Sequence, residues 1–191
     1  LYAVGGCGAT GEQLDTAEVY DPQTDGWQPL QAKMSTARSE LGLAAVGGKI
    51  YALGGHNDGS TLDSVEAYDP QLGAWALVAS MSAKRHFHAS VVLDGKVYAI
   101  GGDDDGTKLD TVEVYDPQAD SWQSVASMPQ GLCEHAAAVM GGKIYVTGGS
   151  SSLKFTYTSK SAYVYDPQAD AWTQLASTVS YTHLTLPTIC S

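Results

Sequence analysis

The 191-residue sequence predicts an all-β protein built from repeated four-stranded sheets, and three features recurring in step carry that prediction. Paired glycines stand at Gly5-Gly6, Gly54-Gly55, Gly101-Gly102 and Gly148-Gly149, spaced 49, 47 and 47 residues apart. Tyr-Asp-Pro-Gln recurs at Tyr20, Tyr68, Tyr115 and Tyr165. A tryptophan follows seven residues after each tyrosine, at Trp27, Trp75, Trp122 and Trp172. Three marks keeping a fixed period are the signature of stacked structural repeats. No window sustains a helical period, whereas short apolar runs bounded by glycine, proline and aspartate read as strands.

Each copy parses into four strands. The first is rich in small apolar residues: Leu41 to Val46, Ala89 to Leu93, Ala136 to Met140. A two-residue turn follows (Gly47-Gly48, Asp94-Gly95, Gly141-Gly142), suited to a tight hairpin because both positions tolerate positive φ. The second strand alternates and ends in the glycine pair, as in Ile50-Tyr51-Ala52-Leu53. A loop of variable length leads to the third strand, Val65 to Tyr68 and its equivalents, and Asp-Pro then makes a type I turn. The fourth strand opens with the tryptophan. Four antiparallel strands every ~47 residues fit a propeller blade. Small first strands suit the crowded position beside a central channel. The glycine pair permits close backbone approach, and tyrosine and tryptophan supply large surfaces to bury between blades. The blades fall at 1–34, 35–81, 82–128 and 129–177, the first without its inner strand, so a fragment of a larger ring is expected.

The formal net charge is −11, with 10 lysines plus arginines against 21 aspartates plus glutamates. An acidic chain without a basic block repels phosphate backbones, so no nucleic-acid partner is expected. No run approaches the ~18 apolar residues of a membrane helix, so no membrane partner is expected either. The 21 glycines exceed the usual share of roughly 7%, as a turn-rich globular chain requires. Three cysteines are too few for a disulfide scaffold, which points to a reducing, cytoplasmic setting.

Gly48-Lys49-Ile50-Tyr51-Ala52-Leu53-Gly54-Gly55, then Tyr68-Asp69-Pro70, then Trp75, resembles a Kelch repeat, and the resemblance runs over residues 1–177. The fourth copy departs from the others. Its loop after Gly149 is longer, and Tyr163 stands where the other copies carry Glu18, Glu66 and Glu113. Agreement stops at Ser177, with Thr178 in the place matching Met34, Met81 and Met128. The segment 178–191 resembles an in-frame translation of a transposase adapter used in sequencing libraries and is expected to be a non-native tail. A natural closing strand is the alternative.

The resemblance implies that a Kelch domain binding peptides draws contacts from two positions per blade, one before the inner strand and one after the glycine pair. By register the first gives Arg38-Ser39-Glu40, Arg85-His86-Phe87 and Leu132-Cys133-Glu134; the second gives Cys7, His56, Asp103 and Ser150. Arginine forks take carboxylates bidentately, so an acidic peptide is one expectation for the partner. The same arginines could instead tie down a loop by bonding backbone carbonyls. The repeated Glu18, Glu66 and Glu113 read as structural, because catalysis needs a residue once.

Other chemistry finds little support. His86-Phe87-His88 with His56 and His135 lacks the accompanying ligands of a closed metal site, so no metal or other cofactor is expected. Asp103-Asp104-Asp105-Gly106 lacks the glutamate of a calcium loop and reads as a solvated tip. Cys133 lies beside Glu134, which raises rather than lowers a thiol pKa. Enzymes on this scaffold include oxidases of the galactose-oxidase type and sialic-acid mutarotases; Arg38, Arg85 and Glu134 could imitate the latter's polar mouth. The expected function is a protein-interaction module, substrate recognition for a ubiquitin ligase being one such role, with a carbohydrate-active enzyme as the alternative.

Overall fold

The computed structural model describes residues 1–151 and 159–177. Among them the regular structure is all strand, arranged as one three-stranded and three four-stranded antiparallel sheets with two further two-stranded hairpins. Blade one holds β1 (Tyr2–Val4), β2 (Ala17–Asp21) and β3 (Gly26–Pro29), three strands in that order. Blade two holds β4 (Gly42–Val46), β5 (Lys49–Leu53), β8 (Val65–Asp69) and β9 (Ala74–Val78), with a small hairpin of β6 (His56–Asn57) and β7 (Ser60–Thr61) inserted after β5. Blade three repeats the plan: β10 (Ala89–Leu93), β11 (Lys96–Ile100), the hairpin β12 (Asp103–Asp104) and β13 (Thr107–Lys108), then β14 (Val112–Asp116) and β15 (Ser121–Val125). Blade four holds β16 (Cys133–Met140), β17 (Lys143–Ser150), β18 (Ala162–Asp166) and β19 (Ala171–Gln174). The tail 178–191 lies outside the described residues.

Two differences from the sequence reading are local. The insertion after each glycine pair is a hairpin in blades two and three rather than a plain loop. In blade four β17 runs through Gly148-Gly149 to Ser150, because β16 begins early, at Cys133, and pairs with it.

The turns obey their residues. Gly47-Gly48, Asp94-Gly95 and Gly141-Gly142 all have positive φ, as a hairpin whose twist matches its strands demands. Each Asp-Pro turn is closed by its own aspartate, which accepts from the backbone two residues on; Asp69 takes the Gln71 N–H at 2.9 Å.

The cores lie between blades. One cluster joins blades three and four through Ile100, Val112, Leu132, Ile144 and Tyr165, and a second joins two and three through Leu53, Val65, Val97 and Tyr115. A smaller cluster, Val4, Ala17, Met34 and Ala52, joins one and two. Each large side chain fully buried there contributes roughly 1.5–3 kcal/mol. The tyrosine and tryptophan of each motif are direct cross-strand partners, with ring centroids 5.3 Å apart in Tyr68–Trp75 and 5.1 Å in Tyr115–Trp122. Tilted pairs at this distance are favourable beyond their area. Trp122 and Trp172 then reach the preceding blade, donating Nε1–H to the carbonyls of Ala79 and Ala126 at 2.8 Å.

The glycine pair is required for two reasons. Gly54 and Gly101 have φ of 53° and 59°, and a Cβ there would stand 2.4 Å from the Arg85 carbonyl and 2.6 Å from the Leu132 carbonyl. The second glycine uses that approach: Gly6, Gly55 and Gly102 donate to the carbonyls of Arg38, Arg85 and Leu132 at 2.8, 2.9 and 2.8 Å. The pair therefore pins each blade to the segment entering the next.

Candidate functional site

The two positions per blade named from sequence come together in space. Ser39 bridges to His56, His86 to Asp103, and Cys133 pairs with Ser150. The residue following each of these first positions has positive φ: Glu40 56°, Phe87 52° and Glu134 55°. These three form a backbone chain across blades, the Phe87 N–H donating to the Glu40 carbonyl at 3.0 Å and the Glu134 N–H to the Phe87 carbonyl at 2.9 Å. The result is a stiff rim running over blades two, three and four, with the hairpins β6–β7 and β12–β13 standing beside it.

The arginines are not on that rim. Arg38 and Arg85 have no exposed surface at all, which corrects the expectation that their forks face a ligand. Arg38 donates to the carbonyls of Gly54 and Ser64 at 2.8 and 3.0 Å and pairs with Glu66 at 2.8 Å. Arg85 repeats this with Gly101, Thr111 and Glu113, the last at 2.6 Å. Glu66 and Glu113 in turn accept from the backbone of Ser35 and Ser82 at 2.7 and 2.8 Å. Burial pulls both guanidinium groups below their usual range, and the paired carboxylates oppose the fall. Burial pushes the Glu113 carboxyl up, but the Ser82 N–H and Arg85 more than reverse it and hold it low. A buried pair is tolerated only when its remaining hydrogen-bonding capacity is filled, and here backbone groups fill most of it. Each pair locks the segment entering a blade against the loop after the glycine pair.

Blade four lacks the lock in every part. Leu132, fully buried, replaces the arginine; Tyr163 replaces the glutamate; Pro129, with no N–H, replaces the serine. Tyr163 donates instead to Gln130 at 3.3 Å.

Other site residues are also withdrawn. Ser39, Asp103, Cys133 and Ser150 are buried, which removes them from a contact surface in this structure. Asp103 is no solvated tip: it pairs with Lys108 and accepts the Gly106 N–H at 2.6 Å. Burial pushes the Cys133 thiol up, Lys108 opposes the shift, and Glu134 adds to it. His56 and His86 keep partial exposure, and Glu134 is exposed. Around them the structure gathers Thr61, unassigned from the sequence, together with Asp105, expected only as part of a solvated tip, and Glu40 and Phe87 of the expected contact positions. The Thr61 hydroxyl donates to Asp105 at 2.7 Å and lies 3.1 Å from His86 Nδ1, while His86 Nε2 faces Glu40 at 4.0 Å. The His86 ring also lies 5.6 Å from His56 and 4.9 Å from Phe87. Among the described residues no group of three or more metal-ligating side chains converges.

Inner-strand repeats, glycine clamps and an inter-blade rim define a Kelch-type propeller scaffold. The family model of the KLHDC2/KLHL20/DRC7 Kelch-repeats domain matches residues 1–149, and that of the Kelch motif matches 131–178; the chain belongs to the Kelch-repeat family. Its relatives include Kelch-like protein 21 of Homo sapiens, 33% identical over 93 residues, a match spanning 49% of this chain and 16% of that protein. Kelch-like protein 35 of Mus musculus is 32% identical over 94 residues, 49% of this chain and 16% of that protein. An F-box/kelch-repeat protein of Arabidopsis thaliana is 40% identical over 58 residues, 30% of this chain and 15% of that protein. These matches span about one sixth of the length of the curated relatives.

Proposed function

We propose that the chain is a protein-interaction module that holds a short peptide or partner loop against the rim of Glu40, Phe87 and Glu134. The observation carrying this reading is the inter-blade backbone chain through those three residues, which fixes their direction while Glu40 and Glu134 stay exposed. A rigid frame presenting side chains loses little entropy on binding. Kinship with Kelch-like and F-box/kelch-repeat proteins supports the finer role of substrate recognition within a ubiquitin-ligase adaptor. The reading is non-catalytic: the mutarotase alternative drew on Arg38, Arg85 and Glu134, and of these the two arginines are held inside the fold.

A peptide array probed with the full chain tests the proposal. Captured peptides should be lost on Phe87→Ala and kept on Lys49→Ala, which alters an exposed ion pair with Asp69. Peptides indifferent to Phe87→Ala, or no capture above background, would overturn it.

A further inference from the structure

We propose that the rim selects a cationic side chain, a lysine or arginine of the partner peptide, and seats it in the gap between the Glu40 carboxylate and Nε2 of His86. This rests on the reading of the rim as a peptide-binding surface and names the chemistry of its ligand. The argument begins at Asp105, whose carboxylate can only accept. Thr61 therefore spends its hydroxyl proton on Asp105, at 2.7 Å. The Thr61 oxygen is then free only to accept, so the neighbouring His86 Nδ1, at 3.1 Å, carries the donated proton. In the neutral ring this leaves a lone pair on Nε2, and Nε2 faces Glu40 Oε2 at 4.0 Å.

Two acceptors thus look at each other across a distance too long for a direct hydrogen bond. Such a pair calls for a donor between them. A nitrogen at about 2.8 Å from each, the usual length for a charged donor, fits a 4.0 Å base without moving either partner. The flanks suit a cation as well. The Phe87 and His56 rings lie 4.9 and 5.6 Å from the His86 ring, so aromatic surface borders the seat. Glu134, joined to Phe87 through the rim, and Asp105 add negative charge. The nearby arginine Arg85, which would repel a cation, is buried and neutralised by Glu113. The net charge of −11 draws basic segments towards the molecule.

Short peptides carrying lysine, arginine, glutamate or serine at each position are arrayed and probed with the full chain and with Glu40→Gln, which keeps shape and removes charge. Lysine and arginine peptides should be enriched, and Glu40→Gln should lower their capture about tenfold. Glu12→Gln, in blade one, should leave capture unchanged. Enrichment of glutamate peptides, or lysine peptides indifferent to Glu40→Gln, would overturn the cation seat while leaving peptide binding standing. Capture of no class would overturn both. Long-range proton–nitrogen spectra of the histidine rings give a second readout that needs no partner. His86 should be protonated at Nδ1 when neutral, its Nε2 signal should move on adding Nα-acetyl-lysine amide, and Nα-acetyl-glutamate amide should not move it. A neutral ring protonated at Nε2, or equal response to both probes, would sink the assignment.

Discussion

Replacing Gly73 by aspartate should stabilise the protein, because three of the four blades already carry an aspartate at that place. Asp25, Asp120 and Asp170 have φ of 50°, 46° and 45°, and Gly73 has 63°. Each aspartate accepts from the tyrosine of its own motif, at 2.6 Å in Tyr20–Asp25 and 2.7 Å in Tyr115–Asp120 and Tyr165–Asp170. Asp120 and Asp170 also accept from the preceding blade, through the N–H of Ala79 and Ala126 at 2.9 and 2.8 Å. By register the matching backbone in blade one is Ala32, two residues before Met34. Blade two has no carboxylate to make this stitch, and its Trp75 Nε1 is buried without a partner. The space is open, since no atom lies within 4 Å of a Cβ built on Gly73.

The magnitude follows from two opposing effects. A hydrogen bond to a charged group contributes about 1.5–3 kcal/mol where it is sheltered and less at this half-exposed edge. A side chain at positive φ costs about 1 kcal/mol, aspartate among the least, and the loss of glycine freedom in the unfolded chain offsets part of that. The net gain should be about 1 kcal/mol, raising Tm by about 3 °C for a chain of this length. Urea and thermal unfolding followed by tryptophan fluorescence would measure it. Gly73→Ala is the control, carrying the backbone cost without the carboxylate, and should destabilise by up to about 1 kcal/mol. If Gly73→Asp falls as far as Gly73→Ala, the carboxylate makes no stitch and the reasoning fails.

Three further outcomes are expected. Glu113→Ala strands a buried guanidinium and should cost about 3–5 kcal/mol, whereas combining Arg85→Leu with Glu113→Tyr, the blade-four pair, should recover much of the loss in a double-mutant cycle. His88 and His135 are buried with both ring nitrogens unpartnered, and burial pulls them down to about 3 and about 4. Since the unfolded chain takes the proton first, stability is full above pH 6.5 and falls as pH drops towards those values. His135→Leu, imitating Leu41 in the matching place, should remove about 3 kcal/mol of that loss at pH 4; an unchanged pH profile would refute the assignment. In thiol labelling of the native protein at pH 8, exposed Cys7 should react at once and buried Cys133 only on unfolding; prompt labelling of Cys133 would contradict its burial.

The period, the strand order and the turns were legible because each is enforced by local chemistry repeated four times. Glycine at positive φ, aspartate before proline, and tyrosine opposite tryptophan leave the same mark wherever they occur. The direction of an arginine fork leaves no such mark. Arg38 and Arg85 precede an inner strand whether they face a ligand or turn inward, and the choice depends on a partner 28 residues away, Glu66 or Glu113. The hydrogen-bonded line from Asp105 through Thr61 to His86 was hidden for a similar reason, since it crosses from the hairpin of one blade to the rim of the next. Yet the sequence did hold evidence for the buried pairs. Blade four loses arginine, glutamate and the serine N–H together, as Leu132, Tyr163 and Pro129. A charge buried without its counter-charge costs several kcal/mol, so the two can change only in concert. Internal repeats thus supply an alignment within a single chain, and residues that change together from blade to blade mark a contact.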